Sequence, residues 1–147
     1  MYTHLLVPVD GTELSERAAI ASIELARKLG ARLTAFVAEP MPPLPTLGSS
    51  PSVYQRDADA HLQRTEQHAR EVLARFGAQA AEQGVAFDGR FQRSDAIDDS
   101  IVAAAQEFGC DLIVMATHGR GAFGELLFGS HTKSVLSRSK LPLLVLH

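Results

Sequence analysis

Residues 111–130 decide the fold of this chain, and they read DLIVMATHGRGAFGELLFGS. The run from Leu112 to Met115 is continuously apolar, which is typical of a parallel strand buried on both faces. Four glycines follow within the eleven positions 119–129. Ser130 then offers a side chain that can cap a helix. The stretch therefore predicts a strand, a glycine-rich loop and a helix in succession.

The rest of the chain repeats this alternation of strand and helix. Working outward, we predict strands at about 5–9, 32–37, 85–92, 111–116 and 141–146 and helices at about 12–29, 54–83, 95–108 and 130–139. The weaker strand at 85–92 is expected near an edge. The order β-α-β-α-β-α-β-α-β predicts one domain over residues 1–147, an α/β fold with an open sheet of five mainly parallel strands and helices on both faces.

Ligands of such sheets bind beyond the carboxyl ends of the strands, where the strand order reverses. Two positions qualify here, the turn at Asp10 and the loop after Ala116.

Two local features complete this prediction. The first helix has an apolar stripe at Leu14, Ala18, Ala21, Leu25 and Leu29, and it is expected to stop at Gly30. The segment 39–52 holds five of the seven prolines and is expected to be a loop.

Composition excludes several classes of protein. The 147 residues are 46% hydrophobic and 21% charged, with a net charge of −3. Those values argue against disorder and against a basic surface for nucleic acid. The single cysteine, Cys110, excludes an intrachain disulfide and is better explained as a core residue than as a redox group. Because neither a signal peptide nor a membrane-spanning segment is evident, we expect a cytoplasmic protein without membrane or nucleic-acid partners.

Three motifs compete for the loop after residue 116. The string GRGAFG at 119–124 matches the dinucleotide fingerprint G-x-G-x-x-G, but it follows the fourth predicted strand and has no acidic residue about 20 positions on, so we reject it. The string GELLFGSH at 124–131 lacks the lysine of a P-loop. The third motif is Gly119, nine intervening residues, and then Gly129 and Ser130. On spacing alone, Gly129 and Ser130 are as consistent with a phosphate site at a helix start as with a surface loop and an ordinary cap.

This third motif resembles the nucleotide loop G-x2-G-x9-G-[ST] of the universal stress protein family. The strings LLVPVDGTELS at 5–15, DLIVMATHGR at 111–120, LFGS at 127–130 and LPLLVL at 141–146 also lie where that family has them. One departure is that Ala116 stands where the motif has its first glycine. The resemblance implies an adenine nucleotide α-hydrolase-like, Rossmann-like fold and binding of ATP, or of ADP or AMP, together with Mg²⁺.

The resemblance also implies roles for residues in the first two strands and the fourth. Pro8 and Val9 would line the adenine side, and Val37 would pack against adenine, although a plain core role explains it equally. Met115 and Ala116 would flank the base and ribose. Asp10 would meet a ribose hydroxyl or a hydrated Mg²⁺, with an Asx-turn before the helix as the alternative.

The remaining implied residues lie in the glycine-rich loop and the last helix. Gly119, Gly129, Ser130 and His131 would contact phosphates. Arg120 is more readily explained as a solvated loop charge than as a phosphate ligand. His118 belongs to the family's Thr-His-Gly string and receives no catalytic role.

Three functions remain open. The leading one is a regulatory protein of the stress response that binds adenine nucleotide and forms a homodimer through its C-terminal strand. The second is a slow ATPase or phosphotransferase, although no residue is identified as a general base or nucleophile. The third is a family member that has lost nucleotide binding and acts through protein contacts. Ala116, at the position of the motif's first glycine, slightly favours this alternative.

Overall fold

The structure, a computed structural model, describes residues 1–117 and 130–147. The elements follow in the order β1 (His4–Pro8), α1 (Glu13–Leu29), β2 (Arg32–Glu39), α2 (Pro51–Glu82), β3 (Phe87–Arg93), α3 (Ile97–Glu107), β4 (Leu112–Ala116), α4 (Ser130–Arg138) and β5 (Leu143–Leu146). This is the predicted alternation of strands and helices. Most element boundaries differ from the predicted ones by a few residues.

The five strands form one sheet in the order β3-β2-β1-β4-β5, and every pairing is parallel. Leu5 of β1 lies opposite Leu33 of β2 on one side and Leu112 of β4 on the other. The chain builds outward from β1 to β3 and then crosses to β4, so the strand order reverses between β1 and β4. The predicted α/β fold is confirmed, and β3 lies at an edge as expected.

Helices cover both faces of the sheet. The helices α1 and α2 pack on one face, where Leu5, Val7 and Leu33 belong to the buried cluster that also contains Ile23 and Phe76. The helices α3 and α4 pack on the other face against a second cluster, whose buried members are Leu6, Phe36, Ile101, Ala104, Ala105, Cys110, Ile113, Met115 and Val135. Successive strand residues alternate between these clusters because side chains of a strand point to opposite faces.

The helix α1 has the predicted ends but a different buried face. Thr12 caps its start, and Gly30 ends it in the left-handed conformation at φ 64°. The buried residues are Ala18, Ala19, Ser22, Ile23 and Ala26, whereas Leu29 is 40% exposed. The predicted stripe is therefore correct at Ala18, which is buried, and at Leu25, which packs against the buried cluster, but wrong at Leu29.

The helix α2 starts earlier than expected, at Pro51 instead of residue 54. Proline fits the first turn of a helix because the amide hydrogen that it lacks has no partner there in any case. The loop after β2 is therefore confined to 40–50. With its 32 residues, α2 is roughly 48 Å long, against roughly 26 Å for an eight-residue strand, so part of it extends past the sheet. Among the described residues, no helix combines the length and apolar character needed to cross a membrane.

Candidate functional site

A cleft of about 340 Å³ lies at the carboxyl ends of β1, β2 and β4. This is where the strand order reverses, the position at which sheets of this type bind ligands. The volume is in the range of small-molecule sites. The cleft is lined by Pro8, Val9, Asp10, Thr12, Leu14, Ser15, Phe36, Ala38, Ile97, Ile101, Met115, Ala116, Thr117, His131 and Thr132.

The turn between β1 and α1 forms one polar wall of the cleft. Oδ1 of Asp10 accepts hydrogen bonds from the Thr12 backbone N–H at 2.9 Å and from the Thr12 hydroxyl at 2.7 Å. The Thr12 hydroxyl oxygen in turn accepts from the Ser15 N–H, which caps α1. Asp10 therefore forms the Asx-turn that was one alternative, and its side chain also lines the cleft, as the other alternative required.

A hydrogen bond from α2 stabilises this turn. Nε2 of His68 lies 2.8 Å from the carbonyl oxygen of Asp10. A carbonyl only accepts hydrogen bonds, so Nε2 carries the proton and donates. Gly11, the next residue, has a φ of 82°, and a Cβ there would lie 2.8 Å from Cε1 of His68. The turn therefore requires glycine at position 11 both for its backbone conformation and for the approach of α2.

The environment of Asp10 favours its ionised form. Partial burial would raise the pKa of this carboxyl, but hydrogen bonds from the hydroxyl and backbone N–H of Thr12 oppose burial and hold the pKa below its ordinary value. Asp10 is thus a carboxylate at neutral pH, able to accept from a ligand hydroxyl or to meet a hydrated cation.

Apolar side chains form the opposite wall. Phe36 and Ala38 come from β2, Ile97 and Ile101 from α3, and Met115 from β4. Val37 does not join them. It is fully buried in the cluster under α1 and α2, on the other face of the sheet. Its neighbours Phe36 and Ala38, which point the opposite way along the same strand, line the cleft in its place.

The start of α4 forms the second polar wall. Ser130, the first residue of α4, is exposed and is not among the residues that line the cleft. His131 lines the cleft, and its Nδ1 lies 2.6 Å from Oδ1 of Asp98 in the first turn of α3. Thr132 is buried at the same wall. No local pattern in the sequence points to Asp98, because its partner is 33 positions away.

The structure thus brings together most of the predicted site residues that it describes. Pro8, Val9, Asp10, Met115, Ala116 and His131 all line one cleft. His118, Gly119, Arg120 and Gly129 lie outside the described residues. The prediction missed four apolar residues that line the cleft, namely Phe36, Ala38, Ile97 and Ile101.

The described residues contain no group of three or more histidine, cysteine, aspartate or glutamate side chains that could hold a metal ion. Magnesium is commonly bound by one or two carboxylates together with substrate phosphates rather than by a full protein cage. Asp10 fits that more limited role, because its carboxylate is ionised and faces the cleft.

Comparison with known proteins identifies the family. The model of the universal stress protein family matches residues 1–147. A universal stress protein of Thermus aquaticus, encoded in the QAH/OAS sulfhydrylase 3′ region, is 30% identical over 99% of this chain and 98% of its own length.

Solved structures agree. A universal stress protein family structure from Burkholderia pseudomallei has a TM-score of 0.75 and 29% identity, covering 99% of this chain and 96% of that one. A universal stress protein in complex with cAMP has a TM-score of 0.70 and 25% identity, covering 99% and 97% of the two chains. The strand order, the cleft at its reversal and these full-length matches lead to one conclusion: the chain belongs to the universal stress protein family.

Proposed function

We propose that this protein binds ATP, or the related nucleotides ADP or AMP, in the cleft between β1 and β4 and acts as a nucleotide-responsive regulator of the stress response. The observation that carries the proposal is the cleft itself, about 340 Å³ at the reversal of strand order, with one apolar and two polar walls. A nucleotide has the same division into an apolar base and a polar ribose and phosphate. The relative solved with cAMP supports an adenine nucleotide as the ligand.

The walls suggest how the ligand lies. The base would pack between Phe36, Ala38, Ile101 and Met115, where apolar surface is offered. The ribose hydroxyls would reach the Asp10 carboxylate, which is ionised and accepts hydrogen bonds.

The phosphates would then extend to the start of α4. Its first backbone N–H groups carry the positive end of the helix dipole. Ser130 and His131 would add side-chain donors there, and Gly119, Arg120 and Gly129 remain predicted contributors from the loop sequence. In this arrangement Mg²⁺ would enter with the phosphates and meet Asp10, supplying charge neutralisation.

Calorimetric titration of the purified protein with ATP, with and without Mg²⁺, tests the proposal. An Ala38→Phe variant places a ring in the apolar wall, and we expect its affinity to fall at least about tenfold. Ala103→Phe is the matched control, because Ala103 is exposed on α3 and does not line the cleft. Equal affinity of the two variants, or no binding by the unmodified protein, would contradict the proposal. Phosphate release well above background would favour the ATPase alternative.

We further propose that the protein is a homodimer joined through β5. This strand lies at the edge of the sheet, where backbone groups are available for pairing with another chain. Leu144 is 36% exposed, and Leu144 and Leu146 line a groove beside Leu25 of α1. Apolar side chains along an open edge are the features that a twofold strand pairing would bury.

A further inference from the structure

His131 and Asp98 form a side-chain pair at the mouth of the cleft. Their 2.6 Å contact joins Nδ1 of the imidazole to a carboxylate oxygen. An ionised carboxylate can only accept, so Nδ1 must carry a proton. Asp98 therefore fixes which ring nitrogen faces the protein, and Nε2 is the nitrogen that can meet a ligand in the cleft.

Other charged groups lie on the elements around this pair. Asp98 is the direct partner, with its side chain 22% exposed against 65% for His131. Asp10 lines the same cleft from the β1–α1 turn. Of the other charged groups in the described part of α3 and α4, Asp99 is paired with Arg138, and Glu107 and Lys133 are exposed. Asp98 is thus the charged group of α3 that contacts the imidazole directly.

We propose that Asp98 is a positioning residue that orients His131, so that the protonated imidazole donates its Nε2–H to a ligand phosphate and nucleotide affinity falls as pH rises. The inference rests on the proposed function, and it adds a pH-dependent phosphate contact to it. Histidine is the side chain whose charge changes between about pH 5 and pH 8. The contact to phosphate is a charge-assisted hydrogen bond only on the acid side of that range.

Two probes separate the phosphate contact from the rest of the site. Adenosine has no phosphate. The phosphodiester of cAMP keeps one charge across the range, whereas the monoester of AMP titrates near pH 6. We expect the cAMP affinity of the unmodified protein to be about tenfold weaker at about pH 8.5 than at about pH 5.5, and the adenosine affinity to change little. Calorimetric titration at a series of pH values gives both profiles.

Variants assign the effect to the pair. His131→Gln should weaken cAMP binding at low pH and give a flat profile. Asp98→Asn should weaken cAMP binding at low pH, because a neutral amide holds the Nδ1–H less firmly than a carboxylate and orients the ring less well. His131→Lys keeps a cation over the whole range, so it should retain affinity at high pH and also lose the pH dependence.

Asp99→Asn is the matched control. It breaks the pair with Arg138, which joins the same two helices without lining the cleft. We expect this variant to keep the profile of the unmodified protein. If Asp99→Asn changes the profile as Asp98→Asn does, the pair is only a link between helices and the inference is wrong.

The remaining outcomes distinguish this inference from the proposed function. Tight binding of cAMP with the same pH profile in the unmodified protein and in His131→Gln would overturn the role of His131 and leave the nucleotide site intact. Failure of adenosine, cAMP and ATP alike to bind would overturn the proposed function and this inference together.

Discussion

Two separate features require glycine at position 11, its backbone conformation and the close approach of α2. Its φ of 82° is in the left-handed region, which costs a residue with a Cβ about 1 kcal/mol or more. A Cβ would also lie 2.8 Å from His68 and 2.9 Å from Val72, so α2 would have to move. We therefore expect Gly11→Ala to lower the free energy of unfolding by about 2 kcal/mol or more, the crowding adding to the backbone cost.

Urea unfolding measures this loss, and Gly48→Ala is its control. Gly48 has a similar φ of 88°, but nothing lies within 4 Å of a Cβ built there. It should lose about 1 kcal/mol, the backbone cost alone. Equal losses in the two variants would show that the contact with His68 and Val72 adds nothing.

At this same scale, the limits of the sequence are clear from β2. The strand is buried on both faces, so Phe36 and Val37 are both apolar and no alternation tells which of them faces the cleft. Family resemblance led to Val37, while the pleat places Phe36 and Ala38 there. Asp98 was missed for a different reason, since its contact with His131 exists only after α3 and α4 have packed.

Among the elements, α1 depends on a cap that also shapes the cleft. The Thr12 hydroxyl accepts from the Ser15 N–H at 3.2 Å and donates to Asp10 at 2.7 Å. Thr12→Ala removes both bonds, and we expect it to cost about 1 kcal/mol of stability from the lost cap. It should also weaken nucleotide binding, because the carboxylate of Asp10 loses a partner that orients it.

Thr12→Ser separates these effects from a simple loss of bulk. Serine keeps the hydroxyl and is at least as good a cap. Its unfolding midpoint and its ATP affinity, measured by urea titration and calorimetry, should both lie close to those of the unmodified protein. A serine variant as weak as the alanine variant would show that the hydroxyl is not the group that matters.

Element boundaries were predictable where a glycine marks the end of a helix. Gly30 follows α1 at positive φ as expected, since few other residues tolerate that conformation, and Gly84 follows α2 in the same way. The start of α2 at Pro51 was not predicted, because proline is common both in loops and at the first position of helices. The buried face of α1 was hidden because Ala19, Ser22 and Ala26 give little hydropathy signal, and their small size is what lets the helix approach the sheet.

At the scale of the whole molecule, the proposed dimer gives the sharpest test. Leu144→Lys places a charge on the exposed edge strand, where a twofold pairing would bury it. We expect the unmodified protein to have twice the chain mass of 15.8 kDa by light scattering and the variant to have that mass once.

Leu136→Lys is the matched substitution. Leu136 is 59% exposed and belongs to α4 rather than to the edge strand, so the dimer should persist. A protein that is monomeric before any substitution would rule out β5 as the interface, and so would a dimer that survives Leu144→Lys.

The overall topology followed from sequence more securely than any single contact. Alternating strands and helices leave few arrangements, because crossovers between parallel strands are right-handed. The two positions expected for a ligand, the turn at Asp10 and the end of β4 at Ala116, meet at one cleft because the strand order reverses between them. What alternation cannot specify is which side chains converge there, since that depends on pleat and helix rotation.

The reversal of strand order has a further consequence. Strands β1 to β3 come from the first part of the chain and β4 and β5 from the last, so the sheet contains a seam where only β1 and β4 join the two parts. The cleft lies across that seam, and residues from both parts of the chain line it. A nucleotide bound there would contact both parts and so link them across the seam. At a hundredfold excess over its Kd it would add about 2.7 kcal/mol to the stability of the intact sheet.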